Sequence, residues 1–350
     1  MNKLLLFLAF CLSALAAGAQ QPPKGTVVVR RFEASSLRNT GGESPERRVS
    51  IYLPPGYEKG NGRYPVLYYL HGFTWSDSNL VATDHYNDLF DKAIASGAIR
   101  PVIVVMPNAN TLYGGSFYSN SPLTGNWSDF TARELVGWVD AQFRTIPQRE
   151  ARGLAGHSMG GYGAIKTAML YPSVFSAVYA LSPAVLGFGR ELGADNSGFA
   201  EAAQLADRAE LTNGKHFFAN AFVAMGRAWS PDATKPFGAA LPVRYVDGRP
   251  VIDEPVLAQW KAQMPLYMID RYADSLRKLS ALRFDWGRND PLGHIPATAL
   301  EFSKKLEALR IRHWAEEYIG THGSEIGTPE GRLLTELLPF FDRQLRFAAR

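Results

Sequence analysis

The sequence has a single cysteine, Cys11, among its 350 residues. This cysteine lies inside an apolar run, residues 4–17, which follows the positive charge of Lys3 and continues into small side chains. The pattern predicts a secretory signal peptide over residues 1–19, cleaved after Ala19, and therefore a secreted or periplasmic protein. The run is shorter than the roughly 20 apolar residues of a membrane anchor, so no integral span is expected after cleavage. The mature chain would then lack thiols, which excludes disulfides and cysteine-based metal sites.

Long runs of like charge are also absent. The net charge is +4 at pH 7, 20% of the residues are charged and 46% are hydrophobic. These values are typical of an ordinary globular protein, and the length allows a substantial core. The sequence has no basic stripe, so a nucleic-acid partner is not expected. The sequence also shows no cofactor fingerprint and no metal-ligand cluster, so neither a cofactor nor a metal is expected.

Eight short segments rich in Val, Ile, Tyr and Leu predict β-strands. The middle segments are apolar at consecutive positions, which indicates strands covered on both faces. The first two have no helix between them and predict an antiparallel pair, whereas from Tyr64 onward strands and helices alternate. This order predicts an α/β fold with a mainly parallel, doubly wound sheet. The predicted strands are 25–34, 47–57, 64–72, 100–109, 151–158, 174–183, 282–290 and 312–320. The predicted helices are about 84–96, 130–143, 159–170, 297–309 and 331–347.

The segment from about 187 to 279 interrupts the alternation of strands and helices. It contains helical patches, a proline-punctuated middle and a predicted hairpin that turns at Asp247-Gly248. A structureless loop of this length is unusual in a compact domain. We therefore predict a single domain over residues 20–350 that carries this segment as an insertion over the sheet, with a lid as one interpretation. Its aromatic residues, among them Phe217, are expected mostly to form its own core, and stacking on a sugar or phenolic group is the alternative.

The stretch "LAGHSMGGYGAIKTA", residues 154–168, surrounds Ser158 with glycines. Its G-x-S-x-G pattern lies between a predicted buried strand and a predicted helix. In such a nucleophile elbow the strand and helix nearly touch, so the flanking positions must be glycine. The alternative is a glycine-lined turn with an inert serine, and a phosphate loop is disfavoured because no Gly-Lys-Ser/Thr follows. The placement favours Ser158 as a nucleophile.

A serine hydroxyl needs a base to take its proton, and that base needs a carboxylate partner. His322 follows the last predicted strand in the loop "GTHGSE" and is the predicted base. Asp290 ends the segment 282–290, in the loop just past its strand, where side chains turn towards a site, and is the predicted acid. Asp285 is the alternative acid but falls within the strand. His294 is the credible rival base, although it lies too near Asp290 to serve easily.

Two backbone N–H groups are candidates for an oxyanion hole. The N–H of Met159 opens the helix after the predicted nucleophile, where the helix dipole favours negative charge. The N–H of Phe73 lies in "LHGFTW" after the third predicted strand, and the alternative there is a simple strand-ending turn. The glycine- and hydroxyl-rich loop over residues 108–120 is the predicted substrate-facing loop.

The chain resembles the putative-esterase (esterase D-like) family of α/β-hydrolases. The resemblance covers about residues 45–185 and 275–345, and its most specific part is the string Ser-Met-Gly-Gly-Tyr-Gly-Ala. The segment 187–279 departs from it and matches no family member of known specificity. The motifs that carry the resemblance are "YPVLYYLHGF", "VIVVMPNAN", "NWSDFTARELVGWVDAQFRT", "GLAGHSMGGYGAIKTAMLYPSVFSAVYALSP", "DWGRNDP" and "YIGTHG".

By motif, the resemblance implies that Ser158 is the nucleophile, Asp290 the acid and His322 the base. It also implies oxyanion donors at Phe73 and Met159. The family includes feruloyl and acetyl esterases of plant-wall polysaccharides, S-formylglutathione hydrolases, siderophore esterases and mycolyltransferases.

The expected function is that of a secreted serine carboxylesterase. The favoured interpretation is a feruloyl or acetyl carbohydrate esterase that acts on polysaccharide. The expected partner is a small-molecule or polysaccharide-linked ester. One alternative is an acyltransferase of the mycolyltransferase type, because the triad is the same and only water exclusion and an acceptor groove would differ. A second is a non-catalytic binding protein on the same fold. The oligomeric state stays open.

Overall fold

The computed structural model describes residues 22–348, so the predicted signal peptide over residues 1–19 lies outside the described residues. The strands are β1 Thr26–Glu33, β2 Glu46–Leu53, β3 Val66–Leu70, β4 Ile103–Pro107, β5 Asn120–Ser121, β6 Gly125–Asn126, β7 Arg152–His157, β8 Ala177–Leu181, β9 Val243–Val246, β10 Arg249–Ile252, β11 Ala281–Gly287 and β12 Trp314–Tyr318.

The helices cover both faces of the sheet that eight of these strands form. They are α1 Asp77–Ala82, α2 Tyr86–Ala95, α3 Trp127–Asp129, α4 Leu135–Gln142, α5 Met159–Leu170, α6 Gly198–Gln204, α7 Arg208–Leu211, α8 Phe217–Trp229, α9 Glu254–Lys261, α10 Pro265–Arg277, α11 His294–Ala308 and α12 Leu338–Gln344. Short π-helical turns, Phe130–Glu134 and Leu333–Leu337, lead into α4 and α12. In residues 22–348, no helix has the length and apolar character needed to cross a membrane.

Eight strands form one sheet in the order β1-β2-β4-β3-β7-β8-β11-β12. The pairs β1/β2 and β2/β4 are antiparallel, and every later pair is parallel. All eight predicted strands are confirmed, as are the antiparallel opening pair and the mainly parallel sheet. This order, with helices on both faces, is an α/β-hydrolase fold.

Consecutive apolar positions in the central strands are explained by burial on both faces. Tyr68 and Tyr69 are neighbours in β3, yet Tyr68 packs in one hydrophobic cluster and Tyr69 in the other, and both are fully buried. Successive side chains of a strand point to opposite faces, so a strand in the middle of a two-sided core needs apolar residues at every position.

The helix α5 begins at Met159 and ends at Leu170, the predicted bounds. The helices at 84–96, 297–309 and 331–347 are also present, with ends shifted by a few residues. The short helix α1 was not predicted. It begins after Ser76, whose Oγ accepts a hydrogen bond from the N–H of Asn79 at 3.2 Å, so a serine N-cap was its only strong signal.

The segment 187–279 folds into α6 to α10 and the hairpin β9–β10. The hairpin turns at Asp247-Gly248, as predicted, because both residues have positive φ, 49° and 75°, and a tight hairpin turn requires this conformation. Part of the aromatic set forms a core inside the segment, where Phe199 and Phe222 stack with ring centroids 3.8 Å apart. Phe217 differs, because its side chain is 44% exposed.

Candidate active site

Ser158 lies at the turn between β7 and α5. Its backbone has φ 57° and ψ −117°, a strained conformation for a residue with a side chain, and the residue is 7% exposed. A Cβ at Gly156 would lie 2.5 Å from the carbonyl carbon of Gly160, and a Cβ at Gly160 would lie 1.9 Å from the carbonyl oxygen of Leu70. The close approach of strand and helix therefore requires glycine at both flanking positions.

The structure brings Ser158, His322 and Asp290 into one hydrogen-bonded line. Nε2 of His322 lies 2.9 Å from Oγ of Ser158, and Nδ1 of His322 lies 2.7 Å from Oδ2 of Asp290. A carboxylate accepts, so we assign the ring proton to Nδ1, which leaves Nε2 to accept from the serine hydroxyl. The Asp290 side chain is fully buried, and its Oδ1 accepts from the N–H of Leu292 at 2.9 Å. The imidazole is thus held at one end by a buried, oriented carboxylate.

The alternative acid, Asp285, lies in a different network. Its Oδ2 accepts hydrogen bonds from the Tyr179 hydroxyl and from Nε of Arg332, both at 2.6 Å. Burial raises the pKa of Asp285 to about 6, while Arg332 opposes this rise. This carboxylate forms a buried ion pair with Arg332 and makes no hydrogen bond to His322.

The rival base, His294, begins α11, is buried and makes no hydrogen bond to Ser158. Its Nδ1 faces Oε2 of Glu191 at 3.4 Å, and Glu191 also accepts from the backbone N–H of His294 at 2.9 Å. Burial lowers the pKa of His294 to about 4. The structure does not bring this ring to the serine.

The two predicted oxyanion donors both lie next to the serine. A Cβ at Gly72 would lie 3.5 Å from Cβ of Ser158, so the Gly72-Phe73 peptide runs directly beside the predicted nucleophile. The N–H of Met159 follows the serine in the chain. Within residues 22–348, neither the Phe73 N–H nor the Met159 N–H donates a hydrogen bond, which leaves both free for an incoming oxygen.

His71 is a residue of this site that the sequence analysis did not single out. Its Nε2 accepts from the N–H of Ala109 at 2.8 Å, so its proton lies on Nδ1, which donates to the carbonyl oxygen of Gly72 at 2.8 Å. That carbonyl belongs to the same peptide as the Phe73 N–H. The Tyr118 hydroxyl donates to the carbonyl oxygen of His71 at 3.0 Å. Burial lowers the pKa of His71 to about 4, which keeps its ring neutral near pH 7.

A cavity of about 530 Å³ opens beside the serine. Its walls are largely aromatic and aliphatic, and Asp84 contributes a carboxylate that accepts from Nε1 of Trp75 at 2.8 Å. The exposed ring of Phe217 reaches it from the segment 187–279. The lining residues are Tyr69, His71, Gly72, Phe73, Trp75, Leu80, Thr83, Asp84, Tyr86, His157, Ser158, Phe217, Leu292, His322, Gly323, Ile326, Gly327 and Thr328.

The loop over residues 108–120 does not line this cavity, in contrast to the expectation that it faces substrate. It packs against Phe73, Thr74 and Met159 instead. The carbonyl oxygen of Gly114 accepts from the N–H of Thr74 at 2.8 Å, and a Cβ at Gly115 would lie 2.5 Å from Sδ of Met159. Its glycines therefore allow close packing against both predicted oxyanion positions.

Two relatives of the chain carry esterase names. An esterase of Mycobacterium tuberculosis is 34% identical over 155 residues, which are 42% of this chain and 30% of the relative. An endo-1,4-beta-xylanase/feruloyl esterase of Xylanibacter ruminicola is 33% identical over 139 residues, covering 36% of this chain and 18% of the relative. The chain thus spans less than a third of the length of either relative.

Solved structures share the fold. A ferulic acid esterase superposes with a TM-score of 0.63 at 21% identity, covering 92% of this chain and 99% of the other. An S-formylglutathione hydrolase from Agrobacterium tumefaciens superposes with a TM-score of 0.60 at 16% identity, covering 92% of this chain and 96% of the other. The sequence model of the Esterase family, described as Putative esterase, matches residues 44–325. With this match over most of its length, the chain belongs to the Esterase family.

Proposed function

We propose that the protein is a serine carboxylesterase that hydrolyses its substrate through an acyl-enzyme on Ser158. The observation that carries this proposal is the line of hydrogen bonds from Asp290 through His322 to Ser158, at 2.7 and 2.9 Å, beside an open cavity. Membership of the Esterase family supports the same chemistry.

In the first half-reaction, Oγ of Ser158 attacks the ester carbonyl carbon while Nε2 of His322 takes the hydroxyl proton. The carbonyl oxygen becomes an oxyanion, which the N–H groups of Phe73 and Met159 stabilise. Asp290 holds the imidazole in the required tautomer and stabilises the imidazolium. When the C–O bond to the alcohol breaks, His322 returns the proton to the leaving oxygen, and the acyl group stays on Ser158.

In the second half-reaction, water replaces the alcohol. His322 takes a proton from the water, whose oxygen attacks the acyl carbon, and the same two N–H groups hold the second oxyanion. Collapse of this intermediate breaks the bond to Oγ of Ser158, and His322 gives the proton back to the serine. The products are a carboxylic acid and the free enzyme.

For the substrate, we propose a feruloyl or acetyl ester linked to polysaccharide, and for the protein a secreted or periplasmic location. The aromatic walls of the cavity, including Trp75 and Phe217, suit a phenolic acyl group. Relatives and structural neighbours that carry feruloyl esterase names support the same class. The predicted signal peptide over residues 1–19 supports export.

We also propose that residues 20–350 form one domain and that 187–279 is an insertion in it. Two contacts support a role for this segment at the site. Phe217 at the start of α8 lines the cavity, and its ring centroid lies 5.9 Å from that of Phe73. A segment placed there would shape the substrate pocket from the side of the oxyanion hole.

The test is hydrolysis of p-nitrophenyl acetate, butyrate and octanoate and of methyl ferulate by purified mature protein. Ser158→Ala is expected to lower kcat by about 10⁴-fold or more, while Ser173→Ala, in an exposed loop, keeps wild-type turnover. Turnover by a folded Ser158→Ala protein would contradict the mechanism. A folded wild type without activity on any ester would contradict the proposed class.

A further inference from the structure

A second histidine ring borders the predicted base. Nε2 of His157 lies 2.7 Å from the backbone carbonyl oxygen of His322, and the two ring centroids are 4.7 Å apart with a tilt of 43°. His157 precedes Ser158 in the chain and lines the cavity. The proposed reaction gives it no role in bond making or proton transfer.

The contact fixes the proton of this ring. A carbonyl oxygen can only accept, so Nε2 of His157 carries the hydrogen and donates it to His322. Nδ1 makes no hydrogen bond to any residue of the described part of the chain. Burial, and after it the neighbouring His322, lower the pKa of His157 to about 3. The ring is therefore a neutral donor with one tautomer near pH 7.

We propose that His157 is a positioning residue for the base, holding the backbone of His322 so that its imidazole stays aligned with Ser158. The proposal rests on the assignment of His322 as the base. It concerns the main chain of His322, whereas Asp290 holds the side chain.

The loop that carries His322 gives the backbone of this residue little other support. Thr321 donates from its N–H to Oγ of Ser324 at 2.6 Å, a bond within the loop itself, and a Cβ at Gly323 would meet no atom within 4 Å. Among the described residues, the bond from His157 is the only hydrogen bond made by the backbone of His322. Without it, the main chain of this residue would depend on bonds made by its own ring.

His157 directly precedes Ser158, so its hydrogen bond to His322 links the predicted base to the predicted nucleophile. The elbow holds the backbone of Ser158 in a strained conformation, and His157 is the preceding residue of the same rigid turn. The bond to His322 therefore ties the base to the element that carries the nucleophile. A displacement of about 1 Å between reacting groups can lower the rate by about 100-fold. Loss of the hydrogen bond from His157 to His322 should therefore lower kcat more than it weakens substrate binding.

The experiment compares His157→Phe, which keeps a ring but loses the donor, with His157→Gln, whose amide N–H can reach the same carbonyl. The Phe variant is expected to lower kcat by about 10- to 100-fold with KM changed by less than about threefold, and the Gln variant to recover most of the loss. His313→Phe is the matched control, because the ring of His313 is also hydrogen-bonded to a backbone carbonyl oxygen but lies on the far side of β11 from Ser158.

A spectroscopic measurement separates this proposal from the proposed function. The hydrogen of Nδ1 of His322, bonded to Asp290, should give a downfield proton NMR signal that needs no turnover. We expect this signal to broaden or disappear in His157→Phe and to return in His157→Gln. Wild-type kcat together with an unchanged signal in His157→Phe would overturn the proposal. Equal loss in the Phe and Gln variants, with a matching fall in Tm, would also overturn it, because the ring would then be only a packing element.

Discussion

The imidazole of His71 donates from Nδ1 to the carbonyl oxygen of Gly72 at 2.8 Å, and this carbonyl shares its peptide with the N–H of Phe73. Because the C=O and N–H of a trans peptide point in opposite directions, the bond that holds the carbonyl also sets the direction of the N–H. A buried neutral histidine thus orients one proposed oxyanion donor.

Replacing His71 should therefore reduce catalysis without preventing binding. His71→Phe is expected to lower kcat by about 10- to 100-fold with little change in KM, since oxyanion donors act in the transition state. His71→Asn keeps a donor near the position of Nδ1 and should retain more activity. The measurement is steady-state hydrolysis of p-nitrophenyl acetate with Tm as the folding control. Wild-type kcat in His71→Phe would show that the Gly72-Phe73 peptide holds its orientation without this bond.

The two candidate acids should behave in opposite ways when each is changed to asparagine. Asp290→Asn is expected to lower kcat by about 10⁴-fold with a small change in Tm, because the imidazole would lose its tautomer. Asp285→Asn weakens the buried pair with Arg332, so the main loss is in stability, about 3 kcal/mol. The measurements are kcat and the free energy of unfolding in urea for both variants. Stable but inactive Asp285→Asn would reverse the assignment.

Phe217 should influence which acyl groups bind. Its exposed ring lines the cavity, so Phe217→Ala is expected to raise KM for methyl ferulate by roughly 10-fold, the equivalent of about 1.4 kcal/mol of lost ring contact. The KM for p-nitrophenyl acetate should change little. Tyr267→Ala is the matched control, because Tyr267 has a similar exposure, 41%, and does not line the cavity. An equal change in the KM for methyl ferulate in the two variants would contradict a role of Phe217 in substrate selection.

Stability should fall as the solution becomes more acidic than pH 6.5. Burial lowers the pKa of His71 to about 4, and the same cause acts on His157 and His294. Between pH 6.5 and about 4 the unfolded chain binds protons at these rings and the folded chain does not. Acidification therefore favours unfolding through these three rings, by roughly 3 kcal/mol for His71 once its folded pKa is reached, and the raised pKa of the single carboxyl of Asp285 offsets only part of this loss. Urea unfolding from pH 7.5 to pH 4.5 measures this loss. A free energy of unfolding that stays constant over this range would contradict the buried neutral state of these rings.

The sequence predicted the sheet well because its signals are local. The central strands of the sheet are short apolar segments bounded by turn residues, and the glycines around Ser158 indicate the turn that precedes α5. Local signals also placed Asp290 and His322, since each follows a strand directly. The helix α1 was not predicted because its six residues span fewer than two turns, too few to show a periodic apolar pattern.

The positioning residues could not be predicted for a different reason. His71 is defined by its contact with Ala109, 38 residues away, and His157 by its contact with His322, 165 residues away. From the sequence, each was a histidine beside a more informative motif. The same limit applies to the loop over residues 108–120, whose composition suits a substrate loop but whose glycines pack against Phe73 and Met159.

The most direct test of the account is rapid mixing of the wild-type protein with p-nitrophenyl acetate, followed by acid quench and mass analysis of peptides. We predict a burst of p-nitrophenol that approaches one equivalent per enzyme wherever deacylation is the slower step. We also predict an acetyl group on the peptide that contains Ser158, absent in Ser158→Ala. Turnover of the ester with no acyl group on that peptide, or with the acyl group on another residue, would contradict the role of Ser158 as the nucleophile.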